Sequence, residues 1–139
     1  MAGKGSYILL ISLPGEQAIS VGSLKTVCFP RGYYAYVGSA LGGYKARLNR
    51  HLRADKRPRW HIDYLLREAS INEMALCPTT DRVECAMARA LSQQFDSIPG
   101  FGCSDCRCCS HLFFTADNEE LKAEVISIIK RLGIKPVVI

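Results

Sequence analysis

Between residues 33 and 52 the chain changes its period, and no other feature of the sequence constrains the fold more. Tyr33 to Val37 is an aromatic and β-branched run that suits a strand. Tyr44, Leu48 and Leu52 then recur every fourth residue, the spacing of one helix face. Gly38 and the pair Gly42-Gly43 lie between them and give the strand a tight exit. A strand, a glycine exit and a helix in that order bring the helix's side chains to the end of the strand. This helix carries Arg47, Arg50 and His51 on a second face, at spacings of three and four.

The rest of the chain arranges itself around that unit. Residues 6–12 (SYILLIS) read as a strand that Pro14-Gly15 ends. Ala18 to Val27 holds a second short strand with Val21 and Leu24 inward, and Pro30-Arg31-Gly32 turns the chain. Ala54 to Arg59 is a basic loop in which Pro58 breaks the helix. Trp60 to Ala69 reads as a second helix with Ile62, Leu65, Leu66 and Ala69 inside. Residues 71–77 suggest another strand, ended by Pro78. Thr80 or Asp81 can cap a following helix of about 14 residues, with Glu84 at the capping-box position. Pro99 to Cys109 is a loop and His111 to Thr115 a short strand. Asp117 to Leu132 is a last helix, with Leu121, Val125, Ile128 and Leu132 inside and Gly133 at its end. Pro136 to Ile139 can add an edge strand. A meander of antiparallel strands is the simplest arrangement, in a compact α/β or α+β domain.

At 139 residues the sequence is expected to form one domain with a core that needs no staples. No signal peptide is visible and the apolar runs are too short to span a bilayer, which points to a cytoplasmic protein. No G-x-G-x-x-G follows the first strand, and P-loop, helix-turn-helix and zinc-finger patterns are absent. The net charge of +5 says less than its distribution. Lys45, Arg47, Arg50, Arg53, Lys56, Arg57, Arg59 and Arg67 face only Asp55 and Asp63 in their stretch, a local excess of six positive charges. Such a field attracts nucleic acid or another polyanion.

Cutting a phosphodiester needs an oriented nucleophile, neutralisation of phosphoryl charge and a stabilised leaving oxygen. Arg47 offers a planar donor fork for phosphate. His51, one turn later, can reach the same phosphate as a donor or proton shuttle. Tyr7 and Tyr36 stand on strands that can be neighbours. A tyrosine acts as a base near neutrality only where positive charge favours the phenolate, and the basic cluster is a source of that field. Glu84 is the first candidate ligand for a hard cation, Mg²⁺ or Mn²⁺, with helix capping as its other reading. Asp63 is the rival, and it can instead orient His61 or pair with Arg67. Trp60 can stack on a base or serve the core. His61 can bond a phosphate or a carboxylate.

The segment 100–111 (GFGCSDCRCCSH) holds four of the seven cysteines. Without a secretion signal these do not read as a disulfide framework. Cys103, Cys106, Cys108, Cys109 and His111 are soft donors, but a second separated pair is missing, so Cys77 or Cys85 would have to complete a structural zinc site. Buried thiols in a tight turn, or a redox role, are the other readings. Asp105 and Arg107 can line a substrate rim.

Taken together, GSYILLISL, GYYAYVGSA, ARLNRHLR, RWHIDYLL, RVECAMARAL and FGCSDCRCCSHLFF resemble the family known as domain of unknown function 123 along nearly the whole chain. More broadly, the first half and Glu84 resemble the GIY-YIG nuclease superfamily. That broader resemblance implies a small, mainly antiparallel three-stranded core sheet flanked by helices, with extra C-terminal elements. Tyr7 corresponds to the first motif's tyrosine, with Ser6 where an apolar residue is usual. Tyr36, Val37 and Gly38 correspond to the second motif. Arg47 corresponds to the phosphate-contacting arginine, one residue further from Gly38 than usual, and His51 follows at the common spacing. Glu84 corresponds to the glutamate that holds a single Mg²⁺ or Mn²⁺. The implied activity is a metal-dependent endonuclease on nucleic acid, DNA first, with Tyr7, Tyr36, Arg47, His51 and Glu84 in the site. RWHIDYLL and the cysteine-rich loop have no counterpart in the general nuclease core, and His61 and the FGCSDC loop are expected to complete the site. Lys45, Arg50, Arg53, Lys56, Arg57, Arg59 and Trp60 are expected to meet the nucleic acid. Relatives fused to an endonuclease III-like glycosylase suggest a repair-enzyme partner, and a non-catalytic accessory module is the alternative.

Overall fold

The computed structural model describes residues 3–103 and 106–139. In chain order the elements are β1 (Gly5–Leu13), β2 (Gln17–Ser20), β3 (Thr26–Phe29), β4 (Gly32–Ala40), α1 (Tyr44–Leu52), α2 (His61–Leu65), β5 (Ser70–Pro78), α3 (Glu84–Ser92), β6 (Asp96–Ser97), β7 (Leu112–Thr115), α4 (Asn118–Arg131) and β8 (Val137–Val138). This is a mixed α+β fold around an antiparallel sheet, as the element pattern implied.

The sheet has six strands rather than three, in the order β6-β7-β4-β1-β5-β8. It is not a plain meander, because β1 sits at the centre between β4 and β5. The C-terminal half supplies β6, β7 and β8 to the two edges. Strands β2 and β3 form a separate hairpin, so the expected strand at Ala18–Val27 is split by a 3-10 turn at Gly22–Leu24.

Both faces of the sheet are covered, which explains the uninterrupted apolar run at the centre of β1. On one face Tyr7, Leu9, Ile11, Tyr34 and Tyr36 pack with Tyr44 and Leu48 of α1, Ile62 and Leu65 of α2, and Phe29 of the hairpin. On the other, Ile8, Leu10, Ala35 and Val37 pack with Met87 and Leu91 of α3 and with Leu121, Val125 and Ile129 of α4. The strand period of two therefore sorts β1 and β4 into two cores.

Several expectations change at helix ends. Leu52 is 55% exposed and His51 is buried in its place, because α1 stops there and Arg53 is extended. Only His61–Leu65 of the expected second helix is regular. Helix α3 runs nine residues and begins at Glu84, with Val83 before it and no side-chain cap, so neither Thr80 nor Asp81 starts it. Asp117 does cap α4, accepting from the Glu120 amide. At that helix's other end Ile129 is buried and Leu132 is exposed.

Candidate functional site

The pairing of β1 with β4 sets Tyr7 opposite Gly38 and Leu9 opposite Tyr36. Tyr7 and Tyr36 thus lie on adjacent strands, as expected, and both point to the same face. Gly38 is required there for space. A Cβ on it would run into the Tyr7 ring at the phenolic end, so only glycine lets that ring lie flat across β4. The Tyr7 hydroxyl meets His51 Nε2 at 2.6 Å, and Nδ1 of the same buried ring has no protein partner. Helix α1 delivers His51 and, one turn earlier, Arg47. The Arg47 guanidinium donates to the Ser39 carbonyl at 2.9 Å and lies 4.4 Å from the Trp60 ring centre.

Arg47, Tyr36, Gly38, Trp60, Glu84 and His111 line one open cleft of about 380 Å³. Its chemistry is set by burial. Burial raises the Tyr7 phenol well above the ordinary tyrosine range, although Arg47 beside it pulls the other way. Burial raises Tyr36 as well, and the neighbouring Tyr7 adds to it. The basic cluster therefore does not turn either tyrosine into a resting phenolate. Burial also drives His51 down from 6.5 to about 4, against the pull of Asp63 and with the help of Arg47, Lys56 and Arg50. The Tyr7–His51 pair is therefore neutral at rest.

His61 lies to one side, in an adjoining cavity that it shares with Tyr36, Trp60, Tyr64 and Gly102. The Gly102 amide donates to its Nδ1 at 2.9 Å. Gly102 is left-handed, at φ +69°, and a Cβ there would press on the Tyr36 ring, so this position too needs glycine.

Asp63 turns out to be neither a cation ligand nor the partner of Arg67. Its Oδ2 accepts from the amides of Arg59 and Trp60 at 2.8 and 3.0 Å and from Arg50 at 2.8 Å. Burial opposes its ionisation, but these donors together hold the carboxyl below its usual range. Arg50 is thereby tied down, and it also donates to the Arg57 carbonyl. Lys56 is occupied in a similar way, donating to the His51 and Arg53 carbonyls at the end of α1. Lys45, Arg53, Arg57 and Arg59 are exposed. Trp60 is half-buried beneath a stack of guanidinium groups, with Arg50 at 4.7 Å and Arg59 at 5.3 Å from its ring centre.

The structure also assembles a metal-capable centre. The ligand atoms of Cys85, Cys106, Cys108 and His111 lie within 4.8 Å of one another, and Cys106 Sγ is 3.4 Å from His111 Nε2. Cys85, from the first turn of α3, is the residue that completes the loop's donors. Cys77 is buried elsewhere in the core, and Cys103 and Cys109 are not among the four. This overturns the expected Mg²⁺ or Mn²⁺. Three thiols and an imidazole are soft donors that suit zinc, whereas hard cations demand oxygen ligands. Among the described residues Glu84 belongs to no cluster of three or more such groups. Asp105, expected on a substrate rim, lies outside the described residues.

Within the cysteine-rich loop, Phe101 is a contributor that the sequence does not single out. Phe101 is fully buried and packs edge-on against Tyr36, Phe29 and His61, at 6.2, 6.1 and 5.5 Å between ring centres. Its signal is the flanking pair Gly100 and Gly102, both at positive φ, which lets one aromatic dive into the core from a loop. No helix among the described residues is long and apolar enough to cross a membrane.

A family model described as Domain of unknown function DUF123 matches residues 6–134, from β1 through α4. No curated protein and no solved structure gives a significant match.

Proposed function

The chain belongs to the DUF123 family, and from that premise we propose that it is an endonuclease of GIY-YIG type that hydrolyses phosphodiesters in nucleic acid, DNA first. The observation that carries this reading is the 2.6 Å contact between the Tyr7 hydroxyl and the neutral His51, beside the cleft that Arg47 and Glu84 line. A phosphate seated against Arg47 meets a planar donor fork already held by the Ser39 carbonyl and Trp60. Tyr7 is fully buried and does not itself line the cleft, so the step requires the cleft floor to open far enough for a water to reach its hydroxyl. That water gives its proton to the phenolic oxygen as the phenol passes its own to His51 Nε2. Hydroxide then forms the new P–O bond, the bond to the leaving oxygen breaks, and that oxygen takes a proton from solvent. Neither tyrosine has to exist as a resting phenolate. Tyr36 walls the nucleophile's side, and Glu84 faces it from the first turn of α3. Exposed Lys45, Arg53, Arg57 and Arg59 extend the positive track beyond the cleft.

A panel of labelled single strand, duplex, nicked, flap and branched DNA and structured RNA tests this, run in buffers with and without divalent cations. Wild type is expected to cut at least one substrate. Arg47→Ala and His51→Phe are each expected to lose roughly 10²-fold or more in rate, the usual cost of removing a group that acts on the transition state, while retaining wild-type circular dichroism. Binding without cutting by wild type would replace the enzyme with the accessory-module reading. Full activity in the folded Arg47 and His51 variants would remove the assigned roles.

A further inference from the structure

The soft-donor cluster is not remote from the cleft. Cys85 directly follows Glu84, and His111 is itself a cleft-lining residue. The segment between Phe101 and His111 has no regular structure among its described residues. Backbone bonds hold its two ends. The Gly100 amide donates to the Cys109 carbonyl and the His111 amide to the Phe101 carbonyl, each at 2.8 Å, and the Val37 amide donates to the His111 carbonyl at 2.9 Å. Gly102 hangs from this loop, and it presents the amide that His61 accepts and touches the Tyr36 ring. One wall of the cleft therefore depends on a loop in whose first half Phe101 is, among the described residues, the one deeply buried side chain.

We propose that Cys85, Cys106, Cys108 and His111 bind one Zn²⁺ in a closed tetrahedral centre, and that this ion ties the start of α3 to the loop and so fixes the cleft wall. The geometry suits the ion. With Zn–S near 2.3 Å and Zn–N near 2.0–2.1 Å, a tetrahedron has S···N edges of about 3.5 Å and S···S edges of about 3.8 Å. Cys106 Sγ and His111 Nε2 already stand at 3.4 Å, and all four donor atoms fall within 4.8 Å. Four protein ligands leave no open position, which makes the centre structural rather than hydrolytic. Binding replaces the three thiol protons, released to solvent, with three sulfur–metal bonds. The ligands come from two segments, Cys85 alone and residues 106–111, so the metal closes a loop that includes β6 and everything up to β7. What it positions is Glu84 through Cys85, and Gly102 with its His61 contact through the loop.

The test uses the intact protein and its one tryptophan, Trp60, which lines the same cavity as Gly102 and His61. Protein from zinc-supplemented cultures is analysed for metal, and zinc is exchanged for cobalt to read thiolate charge-transfer and tetrahedral d–d bands. The expected result is about one zinc per chain, falling below ~0.1 in Cys85→Ser and Cys108→Ser and kept in Cys103→Ser and Cys109→Ser. In the wild type, chelation is expected to shift Trp60 emission and zinc to restore it, a measurement that stands even if a ligand variant fails to fold. Wild type that holds no zinc and takes up neither zinc nor cobalt would overturn the centre. Full zinc in the folded Cys85 and Cys108 variants would overturn the ligand set. Reversible zinc loss with unchanged Trp60 emission would overturn the coupling to the cleft. None of these readouts involves nucleic acid, so an inactive protein and a missing metal centre give different results.

Discussion

His51 shows how far burial alone can set a residue's chemistry. In the unfolded chain it titrates at its ordinary 6.5, and in the fold at about 4. The unfolded state therefore binds more protons throughout that window, and stability rises with pH across it. The contribution is complete above pH 6.5 and is lost as pH falls towards 4, on the order of 3 kcal/mol in all. Urea unfolding from pH 4 to 7 should show this slope, and His51→Phe should flatten it. A wild type and variant that fall in parallel would mean that other groups, such as the low-lying Asp63 carboxyl, dominate acid unfolding. Read functionally, the same shift keeps the imidazole neutral against the Tyr7 hydroxyl, so it does not act as a cationic phosphate clamp, and it makes the ring a weak base that takes a proton only transiently.

At the scale of elements, short helices are held by specific polar contacts more than by their own length. Helix α2 has five residues, too few to be stable alone. Asp63 compensates by accepting the Arg59 and Trp60 amides ahead of the helix and by pairing with Arg50 of α1. That one carboxylate locks α2, the end of the basic loop and α1 together, and it sets Trp60 under the arginines. Asp63→Ala should cost about 3–5 kcal/mol, because it strands a half-buried guanidinium and two amides. Asp63→Asn should cost less, since an amide oxygen can still accept. Denaturant midpoints of the two variants check this, and equal, small losses would mean that solvent satisfies the freed groups.

Over the whole molecule, the positive charge divides into two populations that the sequence presents as one. Arg50 and Lys56 are spent on internal contacts, while Lys45, Arg53, Arg57 and Arg59 are exposed. Duplex affinity should therefore fall with salt, and Arg53→Ala or Arg57→Ala should each lower the log–log slope by about 1. Arg50→Ala should act mainly on stability and leave the slope nearly unchanged. Fluorescence titration at several salt concentrations measures both. Equal slope losses from all of these variants would mean that the internal contacts open on binding.

Local pattern determined much of this protein. The β4–glycine–α1 unit, the capped last helix, the tyrosines on paired strands and the Arg47–His51 spacing are short-range features, written in periods of two and four and in residues with special backbone or capping properties. Resemblance in sequence supplied the family. The rest needed distant residues to meet. Nothing near Leu52 shows that α1 ends in time to bury His51 instead, nor does β1 alone reveal that it is central and flanked by β4 and β5. The size of the sheet depended on strands of two to four residues, too short to carry a period, that form only against a neighbour already in place. The metal centre is the clearest case. Its loop donors are adjacent in sequence, yet the choice of Cys85 over Cys77 depends on which thiol faces the loop once α3 packs on the sheet. That choice is a matter of three-dimensional distance, as is the burial that holds Tyr7, Tyr36 and His51 uncharged, and neither is encoded in local spacing.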